Sequence, residues 1–396
     1  MKILFVNDQP FNPAYGGIER VTDIIVKELL RRGGYEIVYL CAKVKDQSIL
    51  EYDFPVDIVI LPHEGGFTNS ENIAFYTQFI HNSHVDIVIN QRGWAESMNN
   101  VLDVNGVKTV SVIHTTIDGW VNLMLSRINF LENTTWGYIK YGFKQLIFPI
   151  YKSYKKRQFE QHTAAHYREL LAKSTAVSVL SSRYIDELKK YAGKDSCPIY
   201  AIHNPCSIVS QQKSDKENII LFVGRLTDAE KKPMRMIKIW EMLYQRHPDW
   251  RLIIVGDGDE REKMERYVNR RRIERVCLEG QQTEVDKYYK KASFVCLTSQ
   301  FEGWGMSLTE GMSFGCIPFT FDNYGAAHDI VDDNVNGCLI HAFDLTEYAN
   351  RLSALMDNSS KREELSNAAR EKSHCFSITS VVDKWEKLFE EVYKEL

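Results

Sequence analysis

The stretch Ser293–Asp322 limits the fold of this chain more than any other part of it. It contains an apolar run, a loop with two glycines from Gln300 to Gly305, a helical segment from Ser307 to Phe314 and a second apolar run. This order predicts a βαβ unit of a parallel sheet. Because the loop leads into a helix N-terminus, free backbone N–H groups and the helix dipole can hold an anion such as phosphate there.

Two carboxylates, Glu302 and Glu310, flank this loop eight residues apart. Their local pattern allows two interpretations. Ser307 and Glu310 fit a capping box, in which Ser307 caps the helix, Glu310 folds back onto it and Glu302 is a solvated loop residue. Alternatively, both carboxylates bind a ligand at the loop. The local pattern does not separate these interpretations.

Size and charge exclude several protein classes. A chain of 396 residues suggests two or three domains, and a net charge of −4 argues against general nucleic-acid binding. None of the eight cysteines forms a C-x-x-C pair, which favours a reducing compartment. The first residues, MKILFVND, predict a strand rather than a signal peptide, and no apolar run approaches the roughly 20 residues of a membrane-spanning helix. We therefore expect a cytoplasmic protein.

The first residues have the pattern of a doubly wound domain. A buried strand at Lys2–Val6 precedes the glycine pair Gly16 and Gly17, a helix to about Arg32 and a second strand at Glu36–Cys41. The glycine pair lets backbone approach a ligand closely, although a plain turn explains it equally well. The dinucleotide fingerprint G-x-G-x-x-G is absent, which argues against an NAD enzyme.

Three other residue types stand where parallel strands end. His114 closes a predicted strand at Thr109–His114, at the edge where open α/β sheets place ligands, but a lone histidine is more often structural. Arg225 and the adjacent Lys231 and Lys232 follow another predicted strand. An arginine and a lysine in this position can both reach one pair of phosphates, although a solvated turn has the same pattern.

The string from Glu302 to Gly311, EGWGMSLTEG, resembles the E-x7-E motif of glycosyltransferase family 4, retaining enzymes with the GT-B fold. Residues Val223 to Leu226 with Lys231 resemble the G-R-L…K element of the same family. The resemblance implies an α/β protein of two Rossmann-like, doubly wound domains that face a central cleft. The expected ranges are 1–205 for the acceptor-binding domain, 206–377 for the nucleotide-sugar-binding domain and 378–396 for a helix that crosses back to the first domain.

The resemblance also implies roles for the two carboxylates and their cations. Glu310 would hold the ribose hydroxyls of the nucleotide, and Glu302 would lie beside the donor sugar. Arg225 and Lys231 would stabilise the departing diphosphate, with Lys232 as the alternative lysine. Sugar transfer would retain the anomeric configuration, by attack on the face from which the phosphate leaves.

Further contacts are implied for backbone and loop residues. Gly16 and Gly17 would face the donor phosphates and the acceptor, and His114 would contact the donor sugar. The loop at Gln281 would read the base through backbone groups. The remaining implied donor contacts are the backbone groups at the helix start: Gly305, Met306, Ser307 and Leu308.

Neither a metal nor a cofactor is expected, since the nucleotide-sugar is a substrate. The sequence Asp257-Gly258-Asp259 has the D-x-D form of a metal site. It follows a predicted strand as a tight turn, however, and resembles the V-G-D-G element of this metal-independent family. The diphosphate charge would then be met by protein groups alone.

The expected partners are a nucleotide-sugar, most often a UDP-sugar in this family with GDP second, and a glycan or lipid-linked acceptor of a cell-surface polysaccharide. Aromatic and basic residues interleave over 130–159, which suits an anionic membrane surface and a peripheral location at its inner face. The alternative is that the aromatic residues pack inward and the lysines form a solvated face. Two alternative functions also stay open: a sugar-nucleotide epimerase of similar fold and a non-catalytic scaffold.

Overall fold

Two parallel sheets, one in each of two units, organise the chain. The computed structural model describes residues 1–13, 16–43, 52–102, 104, 106–127, 137–193, 197–208 and 215–394, without the side chains of 126–127 and 137–149. The first unit comprises Met1–Ile202 together with Trp385–Leu396, and the second unit comprises His203–Lys384.

Seven parallel strands form the sheet of the first unit, in the order β3-β2-β1-β4-β5-β6-β7. The strands are β1 (Lys2–Asn7), β2 (Glu36–Cys41), β3 (Asp57–Ile60), β4 (Ile87–Asn90), β5 (Lys108–Ile113), β6 (Ala176–Val179) and β7 (Ile199–Ala201). The helices are α1 (Gly17–Arg32), α2 (Ser70–Ser83), α3 (Gly119–Arg127), α4 (Gly137–Lys173) and α5 (Ser182–Ala192). Short 3-10 turns lie at Gly66–Thr68 and Glu96–Leu102.

Six parallel strands form the sheet of the second unit, in the order β10-β9-β8-β11-β12-β13. The strands are β8 (Glu217–Val223), β9 (Arg251–Val255), β10 (Val276–Gly280), β11 (Ala292–Cys296), β12 (Ile317–Asp322) and β13 (Cys338–His341). The helices are α6 (Met234–Glu241), α7 (Arg261–Arg271), α8 (Asp286–Lys291), α9 (Met306–Ser313), α10 (Ala327–Ile330), α11 (Leu345–Met356) and α12 (Ser359–Ser373). The last helix, α13 (Ile378–Lys394), begins in the second unit, and its residues from Trp385 onwards belong to the first unit. A 3-10 turn, His374–Phe376, precedes α13.

The strands are apolar because helices cover both faces of each sheet. In β11 every residue is buried, and its neighbours β8 and β12 are buried over most of their length. Counted from β8, the second sheet has the strand order 3-2-1-4-5-6 of a doubly wound fold. The predicted architecture of two Rossmann-like domains is therefore confirmed. The carboxyl ends of β8 and β11, which are adjacent strands, bring the Arg225 loop and the Glu302 loop to one edge.

A tight pairing between the β8 and β9 loops shapes that edge. The backbone N–H of Gly224 donates to Val255 at 3.0 Å, and that of Leu226 donates to Asp257 at 2.8 Å. Gly256 has φ 137°, and a Cβ atom there would lie 1.9 Å from the carbonyl oxygen of Gly224. The packing of these two loops therefore requires a glycine at position 256. The turn at Asp257 is part of the same packed loop.

The long helix α4 carries the second half of the aromatic and basic segment. Residues 130–136 lie outside the described part of the chain, as do the side chains of 137–149. Among the helices that the structure describes, none combines the length and the apolar character needed to cross a membrane.

Replacing Gly256 by alanine should destabilise the second unit by about 3 kcal/mol, because the added carbon would collide with a backbone carbonyl that cannot move without breaking the loop pairing. Gly224→Ala is the matched control. Its added carbon would meet only Phe222, at 3.7 Å, and Lys231, at 4.0 Å. Urea unfolding of both variants measures the difference, and equal free energies of unfolding would contradict the packing argument.

Candidate functional site

The loop after β11 ends at Gly305, and this glycine determines where α9 begins. Gly305 is the N-cap, with φ 88°, and a Cβ atom there would lie 3.2 Å from the Tyr324 hydroxyl. The helix starts at Met306, and its N-cap makes no side-chain hydrogen bond. The capping-box interpretation of Ser307 and Glu310 is therefore wrong, because a left-handed glycine rather than a serine side chain begins the helix.

Glu302 is a buried carboxylate held by two donors. Lys231 Nζ donates to its Oε1 at 2.5 Å, and Ser299 Oγ donates to the same oxygen at 2.7 Å. The side chains of Glu302 and Lys231 are 8% and 20% exposed. The ion pair thus retains a path to solvent on the lysine side. The structure brings together Glu302 and Lys231, two residues that the sequence placed 71 positions apart.

Lys232 does not take part in this pair. Its Nζ lies 2.8 Å from Oδ2 of Asp228, within its own loop. Its backbone has φ 47°, a left-handed conformation that turns the chain between the two lysines. Of the two lysines that the sequence left open, Lys231 is the one that lies beside Glu302.

Arg225 lies at the rim of the same loop. Its guanidinium pairs with Glu230 at 2.7 Å, and its side chain is 69% exposed. The structure therefore does not bring Arg225 to Glu302 directly. Glu230 links the two regions through its backbone, since its carbonyl accepts a hydrogen bond from Gln300 N at 2.6 Å.

Side chains also tie the β8 and β11 loops together. Arg235 donates to the Thr298 carbonyl at 3.0 Å and to Oε1 of Gln300 at 2.7 Å. Thr298 Oγ1 in turn donates to the carbonyl of Lys232 at 3.2 Å. These bonds fix the position of Lys231 relative to the loop that carries Glu302.

Glu310 lies in α9 and is 2% exposed. Its two carboxylate oxygens accept from different hydroxyls: Ser207 Oγ donates to Oε1 at 2.5 Å, and Tyr289 OH donates to Oε2 at 3.0 Å. Glu302 thus faces an ammonium group, whereas Glu310 faces neutral hydroxyls. The two carboxylates of the motif have different electrostatic surroundings and suit different tasks.

An aromatic cluster lies under the glycine loop. Trp304 is 2% exposed, and its indole stacks on His203 with ring centroids 5.0 Å apart and contacts Phe376 edge-on. Lys384 Nζ donates to Nε2 of His203 at 2.9 Å. Burial, and secondly the Lys384 ammonium, lower the pKa of His203 to about 4. His203 is therefore neutral at pH 7 and accepts from the lysine.

The remaining predicted residue of this unit is more distant. Gln281 is exposed and directly follows β10, the edge strand, with β9 and β8 between it and β11. In the described part of the chain, no group of three or more His, Cys, Asp or Glu side chains could hold a metal ion. Asp257 instead accepts from Gly258 N at 2.8 Å and pairs with Arg261 at 3.4 Å.

In the first unit, Gly16 is the N-cap of α1 and Gly17 is its first residue. A Cβ atom at Gly16 would lie 2.4 Å from the carboxylate of Glu19, which also accepts from Asn7 at 3.3 Å. Burial raises the pKa of Glu19. A side chain at position 16 would therefore require the Glu19 carboxylate to shift.

His114 directly follows β5, at the carboxyl edge of the first sheet, as predicted. Its Nε2 lies 2.7 Å from Oε1 of Gln91, and Trp94 contacts the ring edge-on with centroids 6.2 Å apart. Gln91 follows the neighbouring strand β4. These contacts hold the imidazole at the strand edge.

Three residues at the site escaped the sequence analysis: Ser207, Tyr289 and Ser299. Ser299 could have been found, because it precedes Glu302 by three residues in the same loop. Tyr289 and Ser207 carry no such signal, since they precede Glu310 by 21 and 103 residues and meet it only through the fold.

Comparison with known proteins matches two family profiles. The profile described as "Glycosyl transferases group 1" matches residues 207–372, and the one described as "Glycosyltransferase Family 4" matches residues 15–208. The two profiles meet near the boundary between the two units and together span 15–372.

Curated relatives align over part of their length. GalNAc-α-(1→4)-GalNAc-α-(1→3)-diNAcBac-PP-undecaprenol α-1,4-N-acetyl-D-galactosaminyltransferase of Campylobacter jejuni is 31% identical over 48% of this chain and 54% of its own length. Lipopolysaccharide 1,6-galactosyltransferase of Salmonella typhimurium is 30% identical over 41% of this chain and 47% of its own. The chain thus matches about half the length of these relatives. Neither the epimerase nor the scaffold alternative gains support from them.

Solved structures match over nearly the whole chain. HepE of Anabaena, solved with UDP and glucose, has a TM-score of 0.73 at 17% identity and covers 99% of this chain and 100% of its own. Sucrose-phosphate synthase of Thermosynechococcus elongatus has a TM-score of 0.73 at 14% identity and covers 100% of both chains. At these identities the likeness concerns the fold, and it confirms the predicted GT-B fold.

Protonation of His203 should destabilise the second unit as the pH falls from 6.5 towards 4. Because the pKa of His203 is about 4 in the folded chain, against about 6.5 when unfolded, the unfolded chain takes up the proton first. The contribution of neutral His203 to the free energy of unfolding is complete above pH 6.5. Below pH 6.5 it falls by at most about 1.4 kcal/mol per pH unit.

Urea unfolding at pH 7 and pH 5 measures this effect as a difference between wild type and His203→Asn, since other groups titrate in both. Wild type should lose more stability than the variant. His341→Asn is the control, because Glu347 raises the pKa of the exposed His341 and its effect has the opposite sign. Equal losses for wild type and His203→Asn would exclude His203 as the group responsible.

Proposed function

The chain belongs to the group 1 glycosyltransferases, and from this premise we propose that it transfers a sugar from a nucleotide-sugar to a glycan or lipid-linked acceptor. The observation that carries the proposal is the Lys231–Glu302 pair beside the N-terminus of α9. A cation, a sugar-facing carboxylate and a helix N-terminus are the three elements that a nucleotide-sugar needs at its reacting end. Glu310 supplies the fourth, a buried acceptor for ribose hydroxyls.

Each group then has a defined task. Lys231, together with Arg225 at the rim, stabilises the charge that develops on the leaving diphosphate, and the N–H groups of Gly305, Met306 and Ser307 add to it. The N–H of Leu308 instead donates to the Gly305 carbonyl at 2.9 Å. Glu302 accepts from hydroxyls of the donor sugar. Gly16, Gly17 and His114 keep the donor contacts that the resemblance to the family implies, and Gln281 belongs to the base-binding loop in this proposal.

Retention and metal independence are further parts of the proposal. The only cations assigned to the diphosphate are protein groups, so a chelator should leave the rate unchanged. Attack on the face from which the diphosphate leaves needs no covalent nucleophile, since a phosphate oxygen can take the proton of the acceptor hydroxyl. Trapping a covalent glycosyl-enzyme would overturn this mechanism.

A UDP-hexose is the proposed donor. The support is indirect: HepE was solved with UDP and with UDP-glucose, and relatives are named as galactosyl-, glucosyl- and N-acetylgalactosaminyltransferases. The acceptor class rests on the same kind of support, since the relatives include one named for an undecaprenol-linked glycan and one for lipopolysaccharide. A role in cell-surface polysaccharide synthesis follows from these names.

Thermal unfolding with UDP, GDP, ADP and NAD tests the donor site. One nucleoside diphosphate at about 100 times its dissociation constant should add about 2.7 kcal/mol, a shift of roughly 5 °C or more. Lys231→Met should weaken that nucleotide by about 10- to 100-fold, because it removes a charge-assisted bond to phosphate. Each shift is measured against the ligand-free midpoint of the same variant.

Lys232→Met is the matched control, since Lys232 is the next residue and carries the same charge but pairs with Asp228. It should bind the nucleotide as wild type does. Stabilisation by NAD alone, by nothing at millimolar concentration, or equal weakening in the two lysine variants would contradict the assignment.

We also propose that α4 binds an anionic membrane surface. Ile150 and Tyr154, one helical turn apart, are 71% and 58% exposed. Arg157 is exposed on the same face of the helix, whereas Lys152 and Lys156 are exposed on the opposite face. An exposed apolar face with a cation next to it matches the boundary between headgroups and acyl chains, and an acceptor held in lipid would bring the enzyme there.

Flotation with liposomes of anionic and of neutral phospholipid tests this surface. Wild type should float with the anionic liposomes only. Arg157→Glu should reduce binding by about fivefold or more, since a cation near the surface adds about 1 kcal/mol and the variant puts a negative charge in its place. The matched control, Arg266→Glu, makes the same charge change on α7. Equal loss in both variants, or no flotation of wild type, would contradict the proposal.

A further inference from the structure

The buried carboxylate of Glu310 can bind a ligand in a defined geometry only if neighbouring groups fix its orientation. A glutamate side chain has three rotatable bonds, and its carboxylate plane turns about the last of them. In α9 this carboxylate is 2% exposed, so water cannot orient it. The plane is instead set by two hydroxyl donors, one on each oxygen: Ser207 on Oε1 and Tyr289 on Oε2.

Tyr289 is itself immobilised at both ends. Its ring is fully buried and stacks on Phe314, the C-cap of α9, with centroids 5.9 Å apart. Its backbone carbonyl accepts from Lys216 Nζ at 2.8 Å and from Cys316 Sγ at 3.1 Å. The phenol hydroxyl therefore reaches Glu310 from a fixed platform, because the ring and the backbone are both anchored.

Ser207 lies in a segment that packs against the same helix on either side of Glu310. Cys206 Sγ lies 3.5 Å from the carbonyl oxygen of Thr309 and 3.0 Å from that of Ile208, and Ser313 Oγ lies 2.9 Å from the carbonyl oxygen of Ile208 and 2.7 Å from that of Glu310. Ser207 lies between these two contacts, and its hydroxyl donates to Oε1 of Glu310, whereas Tyr289 donates to Oε2. The two hydroxyls thus hold the carboxylate from two independent segments of the chain.

We propose that Tyr289 and Ser207 are positioning residues that orient Glu310 towards the two ribose hydroxyls of the nucleotide, and that they thereby set the preference for a ribonucleotide. This rests on the proposed function, in which Glu310 binds the ribose. A carboxylate oxygen can accept two hydrogen bonds, so one protein hydroxyl on each oxygen is compatible with one ribose hydroxyl on each. A pre-oriented carboxylate loses little freedom on binding, and the affinity gain depends on both ribose hydroxyls being present.

The test compares each nucleoside diphosphate with its 2′,3′-dideoxy form, using the UDP, GDP and ADP pairs and calorimetric dissociation constants. The readout is the dissociation constant of the dideoxy form divided by that of the ribose form, so that a high ratio means a strong preference for the ribose hydroxyls. Tyr289→Phe removes one oxygen atom from a buried ring, and it should lower the ratio by about fivefold or more while leaving the affinity for the dideoxy form unchanged. Ser207→Ala should act in the same direction, and Ser207→Thr, which keeps the hydroxyl, should restore the ratio.

Tyr288→Phe is the matched control. Tyr288 is the preceding residue of α8, and its hydroxyl donates to Glu279 at 3.0 Å, away from Glu310. It should keep the wild-type ratio. If Tyr289→Phe weakened both members of a pair equally, the tyrosine would be merely structural and the proposal would be overturned.

Glu310→Gln separates this proposal from the function on which it rests. A lower ratio in Glu310→Gln with an unchanged ratio in Tyr289→Phe would overturn the positioning role and leave the donor site intact. An unchanged ratio in Glu310→Gln would remove Glu310 from ribose binding and overturn both. If no pair bound the wild type, the proposed function itself would fail.

Discussion

The buried ion pair between Lys231 and Glu302 is the interaction on which the rest of the site depends. Each partner comes from a different loop, one after β8 and one after β11, and the pair closes only if the two loops stay in register. Removing one partner would leave a charge in a site from which water is largely excluded, which costs far more than the pair contributes. The hydrogen bonds from Arg235 and Gln300 share this task, because they hold the loops at the spacing that the pair needs.

The contrast between the two carboxylates explains how one short motif can serve two purposes. Glu302 is held by an ammonium group and a hydroxyl, so its charge is balanced within the protein. Glu310 accepts from hydroxyls of Ser207 and Tyr289, which orient its carboxylate. A carboxylate in a fixed orientation suits a neutral diol. A balanced carboxylate beside a lysine suits the place where the leaving phosphate and the sugar meet.

Sequence reasoning reached the parts of the structure that local pattern encodes. The doubly wound sheets follow from apolar runs separated by helices, and the β11–α9–β12 unit follows from one glycine loop. Sequence reasoning failed at the start of α9, because a capping box fitted the local pattern equally well. Contacts with residues distant in the sequence determine how the helix begins. The Cβ space at Gly305 is limited by Tyr324 and the Glu310 carboxylate is taken by Tyr289, and neither contact can be read from the residues near Ser307.

On the proposed function, the ion pairs of the ligand-free site also indicate how a diphosphate binds there. Lys231 and Arg225 are paired with Glu302 and Glu230, so the ligand-free site carries no net charge from these four groups. A diphosphate brings more negative charge to Lys231 than Glu302 does, and it therefore competes for the ammonium while the lysine stem keeps its place between the loops. Glu302 is then released to accept from the sugar hydroxyls that arrive with the same ligand. In this proposal the cation that stabilises the leaving group, Lys231, is already in position before the donor binds.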